Sequence, residues 1–217
     1  MNVAFFKQKN FEDKMKRLSI IFAVLSVSVL FLSACNTTDV VTPESPLEKS
    51  FSTDLNYNDG GVYPITQEEI DGLIHMRIEE KLARDVYTVM GTTYNSQVFL
   101  NIKLSEQSHM NAVKRQLDKY SIPDPLTSDE VGVFPTEEFQ TLYDQLIAQG
   151  NVSLTEALLS GVAIEELDIA DLDEQLAFVT NPGIINLYTN LRAGSVSHLA
   201  AFNRNLVGCI NPNKVVD

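Results

Sequence analysis

Four runs of apolar residues recur at spacings of three and four, so one face of each run is nonpolar when the segment is helical. The first run is Leu73, Met76, Ala83, Tyr87 and Met90, and the second is Phe99, Ile102, Val113, Leu117 and Tyr120. The third is Leu158, Val162, Ile169, Leu172, Leu176 and Val179, and the fourth is Ile184, Tyr188, Leu191, Phe202 and Leu206. These stripes predict helices over about 66–90, 96–120, 153–179 and 184–206. Thr66 with Glu69, and Ser153 with Glu156, match the capping-box pattern at two of the starts. Ser121-Ile122-Pro123-Asp124-Pro125 stops the second helix, and Asn181-Pro182-Gly183 separates the last two. A short extra helix is expected over 136–149, closed by Gly150. No alternating strand pattern competes, so the expectation is an all-α fold: a four-helix bundle over 62–207 with one additional helix between the second and third.

Each stripe has a polar break near its middle. The breaks are Glu80, then Glu106 with His109, then Glu165, then Ser195 with His198. Unpaired carboxylates and imidazoles in one core are very costly. A divalent cation removes that cost. Four-helix bundles meet it with two metals held by one Glu from each of two helices and a Glu-x-x-His from each of the other two. Glu106-Gln107-Ser108-His109 is one such pair, and Ser195-Val196-Ser197-His198 is the second with its Glu replaced. Glu80 is preferred to Glu79, and Glu165 to Glu166, on stripe position alone; the competing reading of each is a solvated face.

These segments resemble the ferritin-like superfamily, and within it the bacterial family called domain of unknown function 2202. The resemblance rests on Glu79-Glu80-Lys81-Leu82-Ala83-Arg84-Asp85-Val86-Tyr87, Ser105-Glu106-Gln107-Ser108-His109-Met110, Glu165-Glu166-Leu167-Asp168-Ile169-Ala170-Asp171-Leu172 and Ser195-Val196-Ser197-His198-Leu199. It implies a di-iron or related di-metal carboxylate site; mixed carboxylate and imidazole ligation suits iron or manganese, and oxygen or peroxide is the expected reacting partner. Ser195 departs from the superfamily pattern, because a hydroxyl is a poor ligand beside a carboxylate. Asp168, Glu166 or Glu79 is available to complete the site, or the position stays open. Tyr87 reads equally as a donor behind the ligands and as core packing. His75 lies off its stripe and receives no role.

The N-terminal part carries a different message. Met15-Lys16-Arg17, an uncharged run from Leu18 to Leu32, and Leu32-Ser33-Ala34-Cys35 have the order of a signal peptide, with Met1 or Met15 as the start. The tetrapeptide resembles a lipoprotein box, which implies removal of 1–34 and acylation of Cys35 on a bacterial membrane. Residues 35–61 read as a polar tether. Asp54–Gly60 within it fails the calcium-loop spacing by one place. The remaining tail, 208–217, reads as irregular. Cys209 is left without a partner if Cys35 is acylated, and reads as an inert tail residue.

The formal charge of −13 includes a basic leader, so the remainder is more acidic still. Such a surface repels phosphate backbones and excludes nucleic acid as a partner. The expected function is therefore an extracytoplasmic, lipid-anchored di-metal protein that oxidises ferrous iron or reduces peroxide. The alternative is a catalytically silent metal-binding or structural interaction module. A homodimer is compatible with either.

Overall fold

The computed structural model describes residues 63–210, and the leader, Cys35, the tether and most of the tail lie outside them. Five helices and no strand are present among the described residues: α1 (Gln67–Tyr94), α2 (Gln97–Lys119), α3 (Glu137–Gly150), α4 (Leu154–Leu176) and α5 (Pro182–Ile210). None is long and apolar enough to cross a membrane.

The helix ends follow local chemistry. Thr66 caps α1 through a complete capping box with Glu69, and Asn95 closes it in the left-handed region at φ 47°. At α4 only half of the expected box forms. The Ser153 side chain accepts from Glu156 N, but the Glu156 carboxylate accepts from Gln149 Nε2 at 3.0 Å instead of reaching back. Pro182 at the start of α5 has no N–H to lose. That helix continues through Gly208 to Ile210, past the end expected from the apolar stripe.

Two apolar clusters fill the interior. One gathers Val86, Met90, Phe99, Ile102, Leu158, Val162, Phe202 and Leu206, together with Phe139, Leu142 and Leu146 of α3. The other gathers Leu73, Met76, Val113, Leu117, Leu172, Ile184, Tyr188 and Leu191. On α1 and α5 the chain passes from the second cluster to the first; on α2 and α4 it passes the other way. Thus α1 and α5 run in one direction and α2 and α4 in the opposite one. Because α2 and α4 are parallel, the chain must return along the molecule between them, and 120–153, including α3, makes that return.

The return segment is fastened by charges. Every residue of α1 from Met76 to Tyr87 is buried, so this helix has no solvated face there. Asp85 accepts from Arg84 Nε (2.9 Å) and Nη2 (2.7 Å), from Gly132 N (3.0 Å) and from Lys81 Nζ. Lys81 also donates to Glu130 O at 2.8 Å, and Arg84 to Asp129 at 2.7 Å. Gly132 makes its turn at φ +83°, which a side chain would strain. Arg77 pairs with Asp124 at 3.0 Å.

Candidate metal centre

Between the two apolar clusters lies a polar layer. Glu80 enters it from α1, Glu106 and His109 from α2, Glu165 and Asp168 from α4, and Ser195 and His198 from α5; all are buried. The i, i+3 spacing on α2 turns Glu106 and His109 to the same side. The five ligands expected from the sequence are therefore brought into one layer.

Glu106 sits at the middle. Its Oε2 is 2.8 Å from His109 Nδ1 and its Oε1 is 2.8 Å from His198 Nδ1. His109 Nδ1 also lies 3.2 Å from Glu80 Oε2, and His198 Nδ1 lies 3.6 Å from Glu165 Oε1. The donor atoms fall into two triads that share Glu106: Glu80, Glu106 and His109, and Glu106, Glu165 and His198, each within 4.8 Å. The two imidazoles stack, with ring centroids 5.6 Å apart.

The bonding of these atoms is incomplete. Glu80 Oε1, Glu106 Oε1, Asp168 Oδ1 and His198 Nδ1 are buried without an aligned hydrogen bond, even though Glu106 Oε1 and His198 Nδ1 are near neighbours. Buried polar atoms are rarely left so. Atoms that converge without pointing at one another have the arrangement that a cation at each triad satisfies, and a set of carboxylates with imidazoles suits iron or manganese. The residues present fit such ions.

Supporting contacts hold these side chains. Tyr87 donates to Glu165 Oε1 at 2.6 Å. His198 Nε2 lies 3.0 Å from Ser105 Oγ, which leaves Nδ1 facing the centre. A Cβ on Gly194 would stand 2.7 Å from His109 Nε2, so the absence of a side chain makes room for the imidazole. Ser195 donates to Asp168 Oδ2. The carboxylate missing at Ser195 thus has a neighbour supplied from α4. Asp168 is the additional carboxylate that reaches the layer, whereas Glu166 is exposed.

Charge is balanced by protons in the absence of a cation. Burial pushes the Glu80 carboxyl up to about 8, against the opposing pull of His109. Burial and the Glu106 charge push Glu165 up to about 7. Burial and the charges of Glu80 and Glu79 hold Asp168 well above the carboxylate range. Glu106 goes the other way: burial opposes it, but His198 and His109 hold it well below. Burial would lower both imidazoles; the adjacent carboxylates outweigh it, raising His109 well above its usual value and His198 to about 10.

A third group was missed by the sequence reading. Glu79 turns away from the centre and meets His75 and Asp171, and the three form a separate cluster within 4.8 Å. Part of the signal was available, because His75 and Glu79 are four apart on α1; the Asp171 contact was not. Cys209 is likewise not the unpartnered tail residue expected. It lies in the last turn of α5 and is disulfide-bonded.

An uncharacterised protein of Methanocaldococcus jannaschii, MJ0754, is 49% identical over 143 residues, covering 66% of this chain and 77% of its own length. The crystal structure of that hypothetical protein superposes with a TM-score of 0.68 at 47% identity, covering 69% of this chain and 86% of the other. The family model described as an uncharacterised protein domain, DUF2202, matches residues 69–210, and the chain belongs to that family.

Proposed function

We propose that the five helices form a ferritin-like four-helix bundle, with α3 as the addition, whose polar layer is a di-metal carboxylate centre that oxidises ferrous iron or reduces peroxide. The observation that carries this reading is the pair of triads sharing Glu106, with buried donor atoms left unbonded at their meeting points. Two iron or manganese ions, when bound, supply paired one-electron steps. The chain's own residues do the rest. Glu106 would hold both ions, with His109 and His198 each a ligand to one of them. Glu80 and Glu165 would complete the ligand set, and Tyr87 fixes Glu165. The flanking apolar clusters exclude water from the layer. Asp168, held by Ser195, supplies the acidic group that α5 lacks.

The departure at Ser195 supports a second reading, a silent metal-binding or structural module in which the layer binds ions without turnover. The leader residues support an extracytoplasmic location. The intact mass of the mature protein decides whether Cys35 carries a lipid anchor.

Metal analysis of the full-length chain, desalted after aerobic purification, tests the centre directly. Near two iron or manganese ions per chain, falling in a His109→Ala variant, is the expected result. Turnover with ferrous iron or peroxide then separates the oxidoreductase from the silent module. Absence of metal even after anaerobic ferrous loading overturns both metal readings.

A further inference from the structure

We propose that His75, Glu79 and Asp171 form a third cation site, outside the shared-carboxylate centre, that takes one divalent first-row transition ion. His75 Nε2 lies 3.0 Å from Asp171 Oδ2 and 3.4 Å from Glu79 Oε2. A ring nitrogen carries at most one proton, so it hydrogen-bonds only one of the two carboxylates at a time. The geometry assigns that bond to Asp171. Glu79 Oε2 is left buried without a hydrogen bond, on a residue only 2% exposed, directed at the other two ligands. Asp171 is 4% exposed. The ligand atoms of His75, Glu79 and Asp171 lie within 4.8 Å of one another, and a cation among them would satisfy the unbonded Glu79 oxygen.

The basic residues of α1 do not serve this cluster. Arg77 and Arg84 are committed to Asp124, Asp85 and Asp129, and Lys81 to Asp85, all on the side facing the return segment. One nitrogen and two carboxylate oxygens suit manganese, iron, cobalt or zinc better than the all-oxygen ligation preferred by calcium and magnesium. His75, the ligand with 27% of its side chain exposed, gives the pocket a solvent-facing wall. The inner triads lack such a wall: their least buried side chain, His198, is 11% exposed. An ion at the outer pocket therefore exchanges with solvent more readily than those of the centre.

The test is equilibrium dialysis of the full-length chain against Co2+ in a saturation series, with bound cobalt counted by mass spectrometry. Three ions per chain are expected in the unaltered protein, two in His75→Gln and in Asp171→Asn, and one in Glu106→Ala/His109→Ala. Circular dichroism confirms that each variant keeps its helices. His75→Gln changes a partly exposed side chain, and Asp171→Asn preserves volume, so two independent changes report on the outer pocket. Two ions in the unaltered protein, unchanged in both outer variants, would overturn the third site and leave the inner centre standing. One ion, lost in the outer variants and kept in Glu106→Ala/His109→Ala, would support the outer site and overturn the two-metal centre. No bound cobalt in any protein overturns both.

Discussion

Glu69 illustrates how one side chain joins distant parts of the chain. Its Oε2 accepts from Thr66 N at 2.9 Å, and its Oε1 accepts from Thr180 N at 2.8 Å and Asn181 N at 2.9 Å. Burial pushes its carboxyl up, but these backbone donors together outweigh that and hold it below the ordinary range. A carboxyl lowered in the folded state contributes stability above its unfolded value, near pH 4.3, and loses it as pH falls through the folded value. Urea unfolding from pH 7 to pH 3 should therefore show a steeper loss of stability in the unaltered protein than in Glu69→Gln. At pH 7 the variant should be less stable by about 1.5–3 kcal/mol, the usual worth of hydrogen bonds to a charged group. Gly194 makes the complementary point, since what it lacks matters. Gly194→Ala should push His109 from its place and weaken metal binding about 10–100-fold, as disturbed supporting contacts do. Metal titration followed by competition with a chelator measures it.

At the scale of the elements, α1 departs most from a simple amphipathic helix. Its apolar stripe, Leu73 to Met90, was readable, and so was the break at Glu80. The burial of Arg77, Lys81, Arg84 and Asp85 was not, because charged residues off the stripe read as a solvated face. They are covered because the return segment lies against them. Lys81, Arg84 and Gly132 all depend on Asp85. Asp85→Asn leaves two buried cations poorly compensated, and a loss of about 3–5 kcal/mol is expected from the chemical-denaturation midpoint. Hydrogen exchange should rise in the segment around Gly132 before it rises in α2 or α5.

For the whole molecule, the polar layer interrupts what would otherwise be one continuous core. Glu80, Glu165 and Asp168 hold protons well above the ordinary carboxyl range when no cation is present. Without ions the layer carries desolvated polar atoms that contribute little to stability. An ion bound only by the folded state stabilises it by mass action, about 2.7 kcal/mol at a hundredfold excess over its dissociation constant. Thermal unfolding should thus shift upward with added Mn2+ or Co2+, and the shift should shrink in His109→Ala. An unchanged melting temperature would mean the layer is satisfied without a cation.

The residue pattern by itself determined the helical class, all five helix starts to within two residues, and which polar side chains, Glu80, Glu106, His109, Glu165 and His198, interrupt the apolar faces. It did so because apolar spacing reports which face is buried, and a polar residue interrupting that face is costly enough to stand out. Tertiary structure alone decided the remainder. Glu79 departs from Glu80 toward His75 because successive residues on a helix point about 100° apart. Asp168 reaches Ser195 because α4 packs beside α5. His75 and Asp171 meet only because α1 and α4 are neighbours, a contact 96 residues apart in the chain that no local spacing records.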